Sequence, residues 1–225
     1  MAIRAVVTDI EGTTSSIDFV HQTLFPYARK RLRAYLRDHA ADGAVRKVLQ
    51  EVEGIEKRSL SIGDAADVLE RWIVEDRKLT PLKTLQGLIW GQGYAAGELK
   101  GHVYADTPPA LRRWHQQGLK LYVYSSGSVA AQKLIFGNTE YGDLTPLFTG
   151  YYDTRVGPKR EADSYRTILG DIGVHGDEVM FLSDVGEELD AARDAGMRTL
   201  QLLRDEKAKP SAAHQHATDF SKILP

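Results

Sequence analysis

The stretch IRAVVTDIEGTT, residues 3–14, decides how the chain is read. Ile3 to Ile10 is a short apolar run rich in β-branched side chains, and it stops at Glu11-Gly12-Thr13-Thr14. A run of this kind, broken by polar turn residues, reads as a buried strand feeding a loop. Similar runs cover Leu119 to Tyr124, ending in Ser125-Ser126-Gly127-Ser128, and Val179 to Leu182, ending in Ser183-Asp184. A fourth spans Thr199 to Leu203. Helical spacing fills the gaps, over Pro108 to Gln117, Val129 to Phe136, Glu161 to Ile172 and Glu187 to Ala195. Strands alternating with helices predict an α/β fold with a mainly parallel sheet. Sites in such sheets form at the carboxyl ends of the strands, which is where Asp9, Ser125 and Asp184 fall.

Residues 18–101 follow a different pattern. Val45, Val48, Leu49, Val52 and Ile55 are helically spaced, as are Val68, Leu69, Trp72 and Ile73, and Leu82, Leu85 and Ile89. Gly43, Gly54, Gly63 and Pro81 punctuate the block, and no convincing strand interrupts it. About four helices fit, enough for a small bundle. The block is expected to be a helical cap inserted into a core formed by residues 1–17 and 102–225. The other reading is a long crossover packed into one domain. The polar stretch from Lys207 to Pro225 ends in Phe220, Ile223 and Leu224, and is expected to cover the core or to fray.

Bulk composition narrows the function. Net charge is −2 with both signs dispersed and no long basic run, so nucleic acid is not an expected partner. There is no cysteine, which excludes disulfides, thiolate nucleophiles and cysteine-ligated zinc and suits a reducing compartment. The apolar stretch near the amino terminus is too short for a signal peptide or a membrane span. A cytoplasmic protein without membrane partners is expected.

The strand ends carry the chemistry. Asp9 and Glu11 are two residues apart, and residues so spaced on a strand face one side. Two convergent carboxylates repel unless a cation or a shared proton offsets them. A hard cation such as Mg²⁺ takes oxygen ligands, and Asp184 could add another. Equally, Asp9 could cap a turn and Glu11 be solvated. Ser125 and Ser126 offer hydroxyls and backbone N–H groups to a phosphate, although Ser and Gly are ordinary loop residues. Lys159, in Gly157-Pro158-Lys159-Arg160, could pair with phosphate and carboxylates or simply be solvated. Acids in a first helical turn favour the helix dipole, which explains Glu187 and Glu188 but not Asp184. Among the seven histidines only His102 and His21 sit where they could approach the site, and neither has metal-ligand spacing.

Taken in order, these residues resemble the haloacid dehalogenase-like superfamily of phosphatases. Asp9-Ile10-Glu11-Gly12-Thr13 is similar to its first motif, Ser125 to its second, Lys159 to its third, and Asp184 with Glu188 to its fourth. One departure stands out: most of these phosphatases carry Asp two residues after the nucleophile, and here it is Glu11. That change, with VVTDIEGTTSSIDFVHQTLFPYA (residues 6–28), YSSGSVAAQKLIFG (124–137) and SDVGEELDAARDAGM (183–197), is similar to the enolase-phosphatase family of methionine salvage.

The resemblance implies a Rossmann-like core with a helical cap, and a monomer. It implies that Asp9 attacks phosphorus and that Glu11 protonates the leaving oxygen and later activates water. One Mg²⁺ would be held by Asp9, the backbone carbonyl of Glu11 and Asp184. Ser125, Ser126 and Lys159 would bind phosphoryl oxygens, with Glu188 behind them orienting Lys159 or a metal-bound water. The implied substrate is 2,3-diketo-5-methylthiopentyl-1-phosphate, enolised and then dephosphorylated to 1,2-dihydroxy-3-keto-5-methylthiopentene. Phe19, Tyr27 and Trp90 are candidates for the pocket taking its methylthio end. The nearest alternative is a Mg²⁺-dependent phosphatase of the same superfamily acting on another small phosphate ester.

Overall fold

The computed structural model describes residues 2–75, 77–205 and 208–223. The chain divides into two compact units, one formed by residues 1–17 with 100–225 and the other by residues 18–99.

The first unit is built on a six-stranded sheet, all neighbours parallel, comprising β1 (Ala5–Thr8), β2 (Lys120–Tyr124), β3 (Gly150–Tyr152), β4 (Val179–Ser183), β5 (Arg198–Leu202) and β6 (Gln215–Ala217). The order across the sheet is β3-β2-β1-β4-β5-β6. The parallel sheet expected from the apolar runs is present, and β3 and β6 are additional to the four strands expected. Both are three-residue edge strands, and β6 carries Gln215 and His216 where an apolar run would be looked for.

Alternation along β1 divides the core. Val6 packs with Leu121, Val123 and Leu182 against Leu111 and Trp114 of α6 (Thr107–Gln116) and Phe136 of α7 (Val129–Gly137). Ala5 and Val7 point the other way, with Tyr124 and Phe181 against Tyr165 and Ile168 of α8 (Ala162–Ile172) and Leu189 of α9 (Gly186–Asp194). A strand covered on both faces must be apolar throughout, which is why β1 reads as a continuous run. Trp114, Phe136 and Tyr165 are fully buried, each contributing roughly 2–3 kcal/mol of hydrophobic stabilisation. The carboxyl-terminal stretch covers the core: Phe220 and Ile223 are buried in the Val6 layer. Lys207 and Leu224 of that stretch lie outside the described residues.

The second unit is helical. α1 (Ile17–Phe19) begins at the boundary and runs through a π-helical stretch, Val20–Leu24, into α2 (Phe25–Asp38), followed by α3 (Gly43–Glu56), α4 (Ile62–Val74) and α5 (Thr80–Ala95). Ala28, Leu32 and Leu36, four residues apart, bury one face of α2, and Val45, Val48 and Val52 do so on α3. Ser61 and Asp64 form a reciprocal capping box that starts α4. Arg33 binds Asp67 and Glu70, tying α2 to α4, and Arg71 ties α4 to Glu56 of α3. Among the described residues no helix is long and apolar enough to cross a membrane.

Candidate active site

Parallel register brings three strand ends side by side. Thr8 is level with Val123 on one neighbour and Leu182 on the other. One residue further, Asp9 is level with Tyr124 and Ser183, and Ser125 and Asp184 come next. The backbone N–H of Asp9 still donates to the carbonyl of Leu182 at 2.9 Å, so Asp9 is held by the sheet although β1 ends at Thr8. Strand alternation therefore does not align Asp9 with Glu11, as the sequence reading assumed. The chain leaves the strand because the carbonyl of Ile10 accepts three N–H groups in succession, from Thr13, Thr14 and Ser15 at 3.2, 3.0 and 2.8 Å. Glu11 sits half-buried in that turn, its backbone bridged to Ser15. Gly12 has φ +76°, and a Cβ there would run into the carboxylate of Asp184, so the turn needs glycine twice over.

At this point the structure brings together three carboxylates, Asp9 among them, and one ammonium. The ammonium of Lys159 donates to Asp9 Oδ1 at 2.6 Å and lies 2.6 Å from Glu188 Oε2. The side chains of Asp9, Lys159 and Glu188 are 6%, 9% and 12% exposed, so their charges meet with little water between them. Ser183 Oγ donates to Glu188 at 2.9 Å. Helix-dipole reasoning placed Glu188 as a first-turn acid; here it is buried and paired with Lys159 across the sheet end. Asp184 adjoins the group, its N–H donating to Thr13 Oγ1 at 3.1 Å.

Three carboxylates facing one ammonium leave an excess of negative charge. Burial pushes Asp184 up to about 7, and the neighbouring Asp9 carboxylate adds to the push. Glu188 is raised for the same two reasons, with Lys159 opposing. Burial alone would lower Lys159, but the Asp9 and Glu188 carboxylates outweigh it and hold the ammonium charged.

Asp184 Oδ1 is buried with no hydrogen-bond partner. A solvent-shielded carboxylate oxygen without a donor, beside a second carboxylate, is the environment a hard cation relieves. Among the described residues no group of three acidic, histidine or cysteine side chains is arranged to hold a metal. A set of two side chains, Asp9 and Asp184, with one main-chain carbonyl does not require such a group. The residues fit a small oxygen-liganded cation.

The β2 loop closes the other side. Ser125 is buried, and its Oγ accepts the N–H of Gly127 at 3.2 Å, while Ser126 is exposed. Ser128 caps α7, accepting the N–H of Ala131. Asp153 Oδ2 accepts the N–H of Val129, and the Gln132 amide donates to the carbonyls of Gly127 and Tyr152 at 2.8 Å.

His102 lies in the first unit, where its Nδ1 accepts the N–H of Ser16 at 3.1 Å and sits 3.1 Å from Ser15 Oγ. An Nδ1 that accepts puts the neutral ring's proton on Nε2. Burial holds this imidazole below its ordinary range, with Glu140 pulling the other way. His21 is exposed in the helical unit, with its ring edge-on to Phe25. There Trp90 stacks on Phe25 and donates to the carbonyl of Leu24, and Tyr27 donates to Glu98 under the guanidinium of Arg31. Phe19 is half-buried.

Sequence reasoning missed the residues behind the charges. Arg204 donates to both oxygens of Asp106 at 2.9 Å and, through Nε, to the carbonyl of Thr13 at 2.8 Å. Thr13 in turn receives the N–H of Asp184, so Arg204 supports the turn from below. No spacing rule marks an arginine after the fifth strand; its partners are 98 and 191 residues away.

A family model for haloacid dehalogenase-like hydrolases matches residues 3–196. A curated protein named enolase-phosphatase E1, from Pseudomonas syringae pv. syringae, is 55% identical, with 100% of this chain and 99% of that protein covered. Another of that name, from Erwinia tasmaniensis, is 53% identical, with 98% and 96% covered. Among solved structures, the UTR4 protein of Saccharomyces cerevisiae is 33% identical with a TM-score of 0.83, covering 98% of this chain and 100% of that one. With its acids and lysine gathered at adjacent strand ends, and relatives matching from end to end, the chain belongs to the haloacid dehalogenase-like hydrolases and, among them, to the enolase-phosphatases.

Proposed function

We infer that the chain is a bifunctional enolase-phosphatase of methionine salvage. It converts 2,3-diketo-5-methylthiopentyl-1-phosphate to the acireductone 1,2-dihydroxy-3-keto-5-methylthiopentene and phosphate. The observation that carries the chemistry is the Lys159 ammonium held between Asp9 and Glu188 beside the orphaned oxygen of Asp184.

Asp9 is the nucleophile. Lys159 engages its Oδ1, which leaves Oδ2 to attack phosphorus and form an aspartyl-phosphate. The leaving enediolate oxygen takes its proton from Glu11, which then accepts a proton from the water that hydrolyses the intermediate. Lys159, with Ser125 and Ser126, binds phosphoryl oxygens and offsets the charge that develops during transfer. Glu188 orients Lys159 from behind. Phosphatases of this family generally depend on Mg²⁺. We assign one ion per subunit to Asp9, the Glu11 carbonyl and Asp184, where it would offset phosphate charge and hold nucleophile and phosphoryl group together. Glu11 also moves the carbon-bound proton in the enolisation. The helical insertion serves as the cap, and the protein works as a cytoplasmic monomer without nucleic-acid or membrane partners.

Product analysis with the diketone phosphate, with and without Mg²⁺, tests the reading. An enediol absorbance appearing together with phosphate is expected, and only with the ion. Phosphate release from unrelated sugar phosphates at comparable efficiency would instead favour a general phosphatase. Solvent-deuterium incorporation into substrate should be lost in Glu11→Ala; unchanged exchange would remove Glu11 from the enolisation.

A further inference from the structure

Lys159 sits on a loop between β3 and α8, yet its ammonium is set to within hydrogen-bonding distance of two separate carboxylates. A lysine side chain has many rotamers to lose on being fixed, and loops are the mobile parts of a fold. Fixing the ammonium requires fixing the backbone beneath it.

Three consecutive carbonyls of that loop each accept one buried hydroxyl. Tyr124 donates to the carbonyl of Gly157 at 2.9 Å, Ser164 to that of Pro158 at 2.7 Å and Tyr165 to that of Lys159 at 2.7 Å. The donors stand on rigid elements: Tyr124 ends β2, and Ser164 and Tyr165 lie in the first turn of α8. All three are at most 2% exposed. The rings of Tyr124 and Tyr165 meet edge to face, 5.4 Å between centroids, and Tyr165 meets Phe181 likewise at 5.0 Å. Gly157 has φ +138°, and a Cβ there would collide with Ser164 Oγ, so the loop is pressed against the hydroxyls. The Lys159 ammonium also lies 5.8 Å from the Tyr124 ring centroid, within cation–π range. Core packing needs only the rings, and phenylalanine would supply them without a buried hydroxyl to satisfy. The hydroxyls converge on one short segment.

We propose that the hydroxyls of Tyr124, Ser164 and Tyr165 form a cradle that sets the Lys159 ammonium where it meets the phosphoryl group, making them positioning residues for the reaction. The proposal rests on the reading of Lys159 as a phosphoryl ligand.

The test measures inorganic phosphate binding to the Mg²⁺-loaded enzyme by calorimetry, alongside kcat, KM and thermal unfolding. The variants are Tyr124→Phe, Tyr165→Phe and Ser164→Ala, with Lys159→Met as the limiting case. Tyr152→Phe is the control, because Tyr152 stacks in the same buried cluster but donates to Asp171 at 2.6 Å instead of to the loop. Loss of phosphate binding in Lys159→Met, and weakening of about tenfold in the cradle variants, are expected. The control should lose comparable thermal stability and keep wild-type phosphate affinity. Ser164→Ala removes the least volume and carries the test should a tyrosine variant fail to fold. Wild-type phosphate affinity and kcat in the folded cradle variants, with binding lost in Lys159→Met, would overturn the cradle alone. Wild-type affinity in Lys159→Met would overturn the reading of Lys159, and the cradle with it.

Discussion

Replacing Asp184 with asparagine should make the metal-free protein less sensitive to alkali while abolishing its response to Mg²⁺. Asp184 rises from an ordinary 3.8 to about 7 in the folded chain, first through burial and then through Asp9. Below pH 3.8 both folded and unfolded chains carry the proton and nothing is lost. Between the two values the unfolded chain releases it and the folded chain keeps it, so stability falls as pH rises, and the loss is complete above about 7. At about 1.4 kcal/mol per decade, the loss is about 2 kcal/mol near pH 5 and about 4 kcal/mol near pH 8. Asparagine does not titrate, and its unpartnered buried amide costs about 1–3 kcal/mol at every pH. The stability of Asp184→Asn relative to wild type should therefore climb by about 2–3 kcal/mol between pH 5 and pH 8. For a chain of this size that is roughly 5–10 °C in melting temperature. Urea unfolding in EDTA at the two pH values measures the difference. Saturating Mg²⁺ should then stabilise wild type, by about 2.7 kcal/mol at a hundredfold excess over Kd, and leave the variant unmoved. Parallel stability–pH curves for the two proteins, or equal protection of both by Mg²⁺, would refute the placing of Asp184 as a strained carboxylate held ready for a cation.

Gly12→Ala should lose both stability and cation binding, because φ +76° costs an L-residue about 1–2 kcal/mol and the added Cβ displaces Asp184; thermal unfolding and Mn²⁺ binding by electron paramagnetic resonance report the two effects separately. Arg204→Met leaves the Asp106 carboxylate without its cationic partner and should lower stability by about 3 kcal/mol, measured by urea unfolding, with part of the loss recovered in the double variant Arg204→Met/Asp106→Asn. Burial lowers His102, so as pH falls below the ordinary imidazole value of 6.5 the unfolded chain takes a proton the folded chain resists, and stability is lost. His102→Asn keeps an acceptor near the Nδ1 position, and its melting temperature should fall less than that of wild type between pH 8 and pH 5.5.

Legibility in the sequence tracked burial. Strands β1, β2, β4 and β5 lie inside the sheet, and three of the four read as apolar runs broken by the polar residues that form the site. Strands β3 and β6 are the edges, short and half solvated, so no hydrophobic period marked them. Family resemblance supplied Lys159 and Glu188, whereas strand-end position singled out Asp9, Ser125 and Asp184, since parallel strands deliver their carboxyl ends to one rim. Neither could show that Glu188 pairs with Lys159, because a first-turn acid satisfies the helix dipole equally well until a partner is seen. Tyr124 and Tyr165 were hidden for the opposite reason. Their rings fit the apolar period of a strand and a helix, and periodicity is blind to where a hydroxyl points.

The charge arrangement also constrains the order of events. Lys159 is the cation that pairs with this cluster, and two carboxylates already hold it at 2.6 Å. A phosphate ester brings further negative charge to a group that is acidic in excess, and in a poorly hydrated site such charges repel strongly. Burial raises Asp184 first, and repulsion from Asp9 adds to it. On the function proposed above, a cation that offset Asp184 and Asp9 would free the ammonium to share its donors with phosphoryl oxygens. Cation and substrate would then bind cooperatively, the excess of acids being what makes the one depend on the other.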